Sequence, residues 1–178
     1  MEKQITLTPF ERLSLMNQLS ILKRLDPENA EDYDDQIKIL HSGYTIRYGE
    51  VFQPVFEEMP IEECEYVYDV LDMHRILITS FESLTDKQGL TADDVRFRGF
   101  DGNNETKRWA FAEYLQKKGM WQETLIGGMD NHGMAMTPHR YPQMLKRYEP
   151  IKQHIVDSLS GKWQLTAEQI KEVVGKEN

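Results

Sequence analysis

Cysteine is nearly absent from this chain of 178 residues. Cys64 stands alone, so neither an intramolecular disulfide nor a cysteine-based zinc site can form. Long apolar runs are missing as well, since no stretch approaches the roughly 20 apolar residues that span a bilayer. The N-terminal residues also lack the apolar run and small-residue cleavage site of a signal peptide. We therefore expect a cytoplasmic protein with no membrane association.

Positive charge is also in short supply. The chain has 21 Lys and Arg against 30 Asp and Glu, which makes it acidic with a net charge of −9. Proteins that bind nucleic acids usually present a basic face to the phosphates, so we expect no nucleic-acid partner. The length suits one domain and suffices to bury a core without disulfides or metals. Because repeats, low-complexity tracts and linkers are lacking, we predict a single domain over residues 1–178.

Helical periodicity is what the sequence does contain. The residues from Thr8 to Glu11 form a capping box with proline at the first helical position, which predicts a helix that ends at Leu25. The stretch "LDPENAEDY" predicts a second helix with Asp26 as its cap, and Gly43 is well placed to end it.

The first predicted helix is apolar on two faces. One face carries Leu15, Met16, Leu19 and Leu22, and a second apolar face carries Phe10, Leu13 and Ile21. Downstream, tyrosines and phenylalanines recur at every fourth position and predict a short helix broken near Pro54.

The strongest pattern runs from Ile61 to Leu84. Two neighbouring apolar rows follow this segment, namely Cys64, Val67, Leu71, His74, Ile78 and Phe81 in the first and Tyr66, Val70, Met73 and Leu77 in the second. A helix apolar over so much of its circumference is central to a bundle, or is shared between a core and a subunit interface. We therefore predict an all-α fold, a compact multi-helix bundle around a central helix near residues 61–84, and a homo-oligomer.

Three further helices are predicted after the central one. The first ends near Gly119, the second opens at Thr137 and Pro138, and the last is capped by Thr166. We expect Pro150 to kink or interrupt the second of these helices. The intervening stretch "ETLIGGMDNHGMAMTP" contains three glycines and predicts a loop of functional length.

The stretch "FDGNNE" precedes the first of these helices. Asp101, Asn103 and Glu105 alternate as oxygen ligands do at the start of a calcium loop. However, Thr106 occupies the sixth position, where the loop needs glycine, and Ala112 the twelfth, where it needs a bidentate glutamate. We therefore predict no metal at this stretch.

Two interpretations of this stretch stay open. Asp101, Asn103 or Asn104 could cap the following helix, because these residue types lead the preferences at that position. Alternatively, these three residues with Glu105 and Arg108 bind a polar ligand at the helix N-terminus, where exposed backbone amides attract anions.

Histidines supply the remaining candidates. His132 and His139 lie near three methionines, Met129, Met134 and Met136. Their spacing matches no closed metal site, so we add the two histidines to the ligand-binding candidates and predict no metal or other cofactor. If Asp101, His132 and His139 converged and Arg108 held an anion, the chain would be a small hydrolase or metal-assisted enzyme. His74 lies at a core-facing position, where a hydrogen-bonded histidine is more common than a general base.

Four motifs connect the chain to a known family. They are "LDPENAEDY", "GY" at Gly43, "GFDGNNE" from Gly99 and "HG…TP" from His132 to Pro138. In this order and spacing they cover nearly the whole chain, which resembles the YfbU family of uncharacterised bacterial and archaeal proteins. Some members carry a separate helix-turn-helix domain, so the resemblance implies a ligand-sensing module and no particular reaction.

The sequence contains no recognisable catalytic set. We therefore interpret the protein as a non-enzymatic ligand- or partner-binding and regulatory module that acts as a homo-oligomer, with a small molecule or a protein as its partner. The alternative is the small hydrolase or metal-assisted enzyme, with its site between the Asp101 and His132 loops.

Overall fold

The computed structural model of the protein describes residues 5–53, 55, 57–126, 140–157 and 163–176. Within these ranges the regular elements are α-helices and short 3₁₀ turns, and no β-strand occurs, which confirms the predicted all-α class. The chain divides into two compact units, Met1–Glu58 and Met59–Asn178. We describe each unit by itself, and the single-domain organisation stays a prediction.

The first unit is built on a helical hairpin. Its elements are α1 (Pro9–Leu25), a 3₁₀ turn (Pro27–Asn29), α2 (Ala30–Ser42), a second 3₁₀ turn (Thr45–Arg47) and α3 (Tyr48–Val51). The capping box that begins α1 is confirmed, because the Thr8 hydroxyl accepts from the Glu11 amide at 3.2 Å and the Glu11 carboxylate accepts from the Thr8 amide at 2.7 Å. The predicted second helix starts late, since the proline after Asp26 begins a 3₁₀ turn instead.

The core of the first unit lies between α1 and α2. It consists of Leu19, Ile39, Leu40 and Tyr48. Arg12 reaches across the hairpin and donates to the carbonyl oxygen of Leu40 at 3.1 Å, which satisfies a carbonyl near the end of α2. As predicted, α2 ends at Gly43, whose φ is positive.

The second unit is built around one long helix. Its helices are α4 (Ile61–Ser83), α5 (Ala92–Val95), α6 (Thr106–Lys117), α7 (Gln122–Leu125), α8 (Arg140–Asp157) and α9 (Ala167–Val174). α4 contacts each of the other five. Its buried residues include Val67, Leu71 and Leu77. The central helix predicted near residues 61–84 is therefore confirmed. Most residues of its two apolar rows are buried by packing within the second unit.

A non-helical segment over residues 96–100 lies between α5 and α6 and supplies two buried rings to this core. Phe97 stacks on Tyr141 of α8 at 5.6 Å between ring centroids, and Phe100 meets Phe97 edge-on at 5.4 Å. The Tyr141 hydroxyl donates to the carbonyl of Gly99 at 2.9 Å and accepts from the amide of Arg98 at 3.1 Å. One tyrosine therefore satisfies two backbone groups that no helix or sheet would pair.

The outcomes for the later predicted helices differ. α6 ends two residues before Gly119, whose φ of 76° suits a helix terminus, and Thr166 caps α9, as predicted. The predicted interruption at Pro150 is wrong, because α8 continues through the proline, whereas the kink expected there as the alternative stays a prediction. Tyr148 and Ile151 flank the proline and are both buried, so packing compensates for the hydrogen bond that proline cannot donate.

The predicted opening of α8 at residues 137–138 lies outside the described residues. In the part of the chain that the structure covers, no helix is both long enough and apolar enough to cross a membrane.

Candidate functional site

The polar stretch from Asp101 to Glu105 folds into a tight corner before α6. One carboxylate oxygen of Asp101 accepts from the Asn103 amide at 2.8 Å, and the other accepts from the Asn104 side chain at 2.6 Å. The Glu105 amide donates to the Asp101 carbonyl at 2.6 Å, while the Glu105 carboxylate accepts from the Asp101 amide at 3.1 Å. These residues therefore bind one another and together shape the turn.

This arrangement corrects the capping prediction. The cap position of α6 belongs to Glu105, and no side chain makes a capping hydrogen bond there. Asp101, Asn103 and Asn104 lie one to four residues before that position, and the Asp101 carboxylate is engaged inside the corner. The first helical residue, Thr106, turns its hydroxyl back to the carbonyl of Gly102 at 2.8 Å.

Arg108 connects this corner to the central helix. It donates from Nε and Nη2 to the two carboxylate oxygens of Glu63, at 2.6 and 3.1 Å. Its Nη1 donates to Glu105 at 2.8 Å, and the guanidinium lies 4.3 Å from the ring centroid of Tyr66. A paired fork of this kind is among the stronger ionic contacts in proteins, so Arg108 holds α6 against α4.

The cluster around Arg108 contains one positive charge and two negative charges, those of Glu63 and Glu105. Hydrogen bonds from Arg108 lower the pKa of Glu63, and those bonds together with the one to Glu105 raise the pKa of Arg108 above its usual value. A cavity of about 370 Å³ opens beside the corner and is lined by Glu63 and residues 104–108. Any anion at Arg108 would have to compete with two carboxylates already bound to it.

The histidine candidates cannot be placed beside this cavity, because His132 and His139 lie outside the described residues. Their convergence with Asp101, on which the alternative hydrolase or metal-assisted enzyme depends, therefore stays a prediction. Among the residues that the structure covers, no group of three or more His, Cys, Asp or Glu side chains could hold a metal ion. The assignment of Asp101, Asn103, Asn104, Glu105 and Arg108 to a ligand site also stays a prediction.

His74 is a fully buried core residue of α4. Its Nδ1 lies 2.9 Å from the carbonyl oxygen of Val95, and the rings of Phe97 and Tyr141 meet it edge-on at 5.5 Å. Burial, and to a smaller extent the charge of Arg140, lower the pKa of His74 to about 4, against the opposing effect of the bond to Val95. The ring is therefore neutral at pH 7, its Nδ1–H donates to Val95, and no substrate can reach it.

One surface of the first unit has no counterpart among the predicted sites. The outer face of α1, which we define as Phe10, Leu13, Asn17, Ile21 and Leu25, points away from the buried Leu19. The four apolar side chains of this face are 79%, 55%, 59% and 76% exposed. The sequence did signal a second apolar face on this helix, but a pattern cannot tell whether such a face is covered.

The described residues thus define an all-α protein. Its polar corner before α6 and the cluster around Arg108 are held by contacts within the fold. The chain belongs to the YfbU family, since the YfbU domain matches residues 5–175. It is also similar to the UPF0304 protein MJECS11 of Methanocaldococcus jannaschii, with 34% identity over 173 residues that cover 94% of this chain and 98% of that protein. The resemblance inferred from the four motifs is thereby confirmed.

Proposed function

We propose that the protein is a non-enzymatic ligand- or partner-binding and regulatory module that acts as a homo-oligomer, and that the outer face of α1 is its self-association surface. The observation that carries this proposal is the exposure of Phe10, Leu13, Ile21 and Leu25 along one side of a single helix. Scattered exposed apolar residues need no explanation, whereas a contiguous row of them marks an interaction surface.

The spacing of this face favours a second copy of the chain as the partner. Four residues of this face, Phe10, Leu13, Asn17 and Ile21, and the adjacent Arg24 follow one another at steps of three, four, four and three, a palindrome about Asn17. In an antiparallel pair of α1 helices centred on Asn17, each Leu13 packs on the partner's Ile21. A twofold interface needs this self-complementarity, because the same patch serves both subunits.

The remaining two pairs are also complementary in this arrangement. Phe10 meets the partner's Arg24, a cation–π pair, and Asn17 meets the partner's Asn17, whose amides can hydrogen-bond to each other. A single buried asparagine pair of this kind fixes the register of paired helices at some cost in stability. The polar residues therefore specify the pairing, while the apolar ones drive it.

The size of the surface predicts a weak association. The 17 residues of α1, at 1.5 Å per residue, form a strip about 25 Å long. Such a strip lies at the small end of specific interfaces, so we expect a dissociation constant on the order of 10 µM.

The two strongest chemical candidates among the described residues support a non-enzymatic role. His74 is neutral and committed to the Val95 carbonyl, and Arg108 is committed to Glu63 and Glu105.

Sedimentation equilibrium tests the self-association surface. Up to about 100 µM, well above the expected dissociation constant, the wild-type mass should rise reversibly from the chain mass of 20.9 kDa toward twice that value. The double substitution Leu13→Glu and Ile21→Glu places like charges opposite each other and should leave a monomer. Val156→Glu, at a 45% exposed apolar residue of α8, is the matched control and should associate like wild type.

A charge-swap variant tests the antiparallel register. The combination Leu13→Lys with Ile21→Glu sets each introduced lysine against the partner's introduced glutamate and should restore a salt-sensitive dimer. A parallel pair would set like charges together and stay dissociated. A wild-type protein that is monomeric throughout this range would refute self-association, and a dimer that survives both glutamates would place the interface elsewhere.

A further inference from the structure

A groove between α4 and α8 in the second unit forms a cavity of about 280 Å³. Its apolar lining consists of Ile76, Leu145, Tyr148 and Trp163, and its charged lining consists of Asp69, Asp72, Arg75, Glu149 and Lys152. We call this feature the α4–α8 groove. An apolar cavity with a few convergent polar groups is the usual form of a small-molecule site.

Two of the charged groups are anchored to Trp121. The indole Nε1 donates to Asp72 at 2.7 Å, and the guanidinium of Arg75 lies 5.2 Å from the Trp121 ring centroid. Arg75 also forms an ion pair with Glu123. These contacts hold the Arg75 charge close to two carboxylates, so Arg75 is poorly placed to attract an anion into the groove.

Two carboxylates remain more available. The Asp69 carboxylate and the Lys152 ammonium group form an ion pair with a long distance of 3.6 Å. The Glu149 carboxylate makes no ion pair or hydrogen bond with another residue in the described part of the chain. Burial and then the negative charges of Asp72, Glu149 and Asp69 raise the pKa of Tyr148 to about 12. All three acids therefore lie close enough to influence the hydroxyl of the same buried aromatic residue, and the groove lining holds these three acids against two bases, Arg75 and Lys152.

We propose that the α4–α8 groove binds a small organic cation that consists of an amine on a compact apolar body. The ammonium group would lie between Glu149 and Asp69, and the apolar body would lie against Tyr148 and Trp163, the latter 41% exposed. Carboxylates supply charge-assisted hydrogen bonds to an ammonium group, and aromatic faces attract cations. The volume is at the small end of ligand sites, which suits a ligand of roughly ten non-hydrogen atoms.

This site is separate from the proposed self-association surface. Its lining residues belong to the second unit, whereas α1 belongs to the first. The monomeric variant with Leu13→Glu and Ile21→Glu should therefore bind the cation like wild type, so failure of one proposal is distinguishable from failure of the other.

Calorimetric titration with three probes of matched shape tests the chemical class. Phenethylamine should bind, the neutral 2-phenylethanol should bind about tenfold more weakly, since hydrogen bonds to charged groups contribute about that factor, and the phenylacetate anion should not bind. Equal binding of the amine and the alcohol would reduce the groove to an apolar crevice and overturn the proposal. Failure of phenethylamine to bind would overturn it as well.

Two substitutions with opposite expected effects on affinity test where the cation binds. Glu149→Gln keeps the shape of the groove and should weaken phenethylamine binding about tenfold. Lys152→Gln releases Asp69 from its ion pair and should strengthen the same binding severalfold. Glu172→Gln, at an exposed glutamate of α9, is the control and should bind like wild type. Weaker binding in Lys152→Gln, or unchanged binding in Glu149→Gln, would contradict the placement of the ammonium group between Glu149 and Asp69.

Discussion

Acidification should destabilise this protein through the buried His74. The pKa of a histidine in an unfolded chain is about 6.5, whereas burial lowers the pKa of folded His74 to about 4. Between these values the unfolded state binds a proton that the folded state does not. The His74 contribution to the free energy of unfolding is therefore complete above pH 6.5 and is lost progressively as pH falls toward 4.

The magnitude follows from the two pKa values. Because the unfolded state binds the proton more tightly, a fall from pH 7 to pH 5 should lower the free energy of unfolding by about 2 kcal/mol through this one residue. The loss reaches about 3 kcal/mol at pH 4 and below, at about 1.4 kcal/mol for each unit between the two pKa values. Protonation would place a second positive charge near Arg140 in a site walled by the rings of Phe97 and Tyr141.

Urea unfolding followed by circular dichroism at several pH values measures this contribution. His74→Asn is the matched variant, because its side-chain amide can still donate to the Val95 carbonyl but does not titrate. Loss of the packing contacts of the ring should cost about 1–3 kcal/mol at pH 7, where the histidine is mostly neutral in both states. Carboxylates titrate in both proteins and cancel in the difference, so the stability gap should narrow by about 2 kcal/mol between pH 7 and pH 5. A gap that stays constant over this interval would refute the assignment of a neutral, buried His74.

Two substitutions test further polar contacts of the second unit, each by urea unfolding at pH 7. Arg108→Met removes the paired contact to Glu63 and should lower the free energy of unfolding by about 1–3 kcal/mol. Arg108→Lys should restore less than half of that loss, because lysine cannot donate to both carboxylate oxygens as the guanidinium does. Full restoration of stability by lysine would contradict the bidentate geometry. Ser80→Ala leaves the buried Leu165 amide, now 2.9 Å from the Ser80 hydroxyl, without an acceptor and should cost about 1–3 kcal/mol. The neighbouring Ser83→Ala is the control and should change stability by less than about 0.5 kcal/mol.

The candidate corner before α6 was recognisable in the sequence only in part. The density of polar residues between Asp101 and Glu105 marked it, and Arg108 lies one helical turn further on. Glu63 gave no such signal, because it lies 45 positions away from Arg108 and resembles any other acid in the first turn of a helix. The capping assignment failed for a related reason. Asp101, Asn103 and Asn104 are all good caps by type, yet the folded backbone places Glu105 at the cap position.

Local chemistry determined the helices that the sequence predicted well. The capping boxes at Thr8 and Thr166 join residues three positions apart, and Gly43 ends α2 with a φ of 68°, so a short stretch contains all the necessary information. The same is true of α4, whose apolar rows alone require burial on several sides.

Tertiary structure alone decided what becomes of an apolar or polar side chain once its helix has formed. Periodicity indicated two apolar faces on α1, and only packing shows that Leu19 is buried while Phe10 stays exposed. Packing stabilises α8 on both sides of Pro150, so the helix continues past the proline. Asp69 and Glu149 line one groove only because α4 and α8 lie side by side. Interactions within one turn are encoded locally, whereas burial and charge pairing depend on residues that are distant in the chain and come together only on folding.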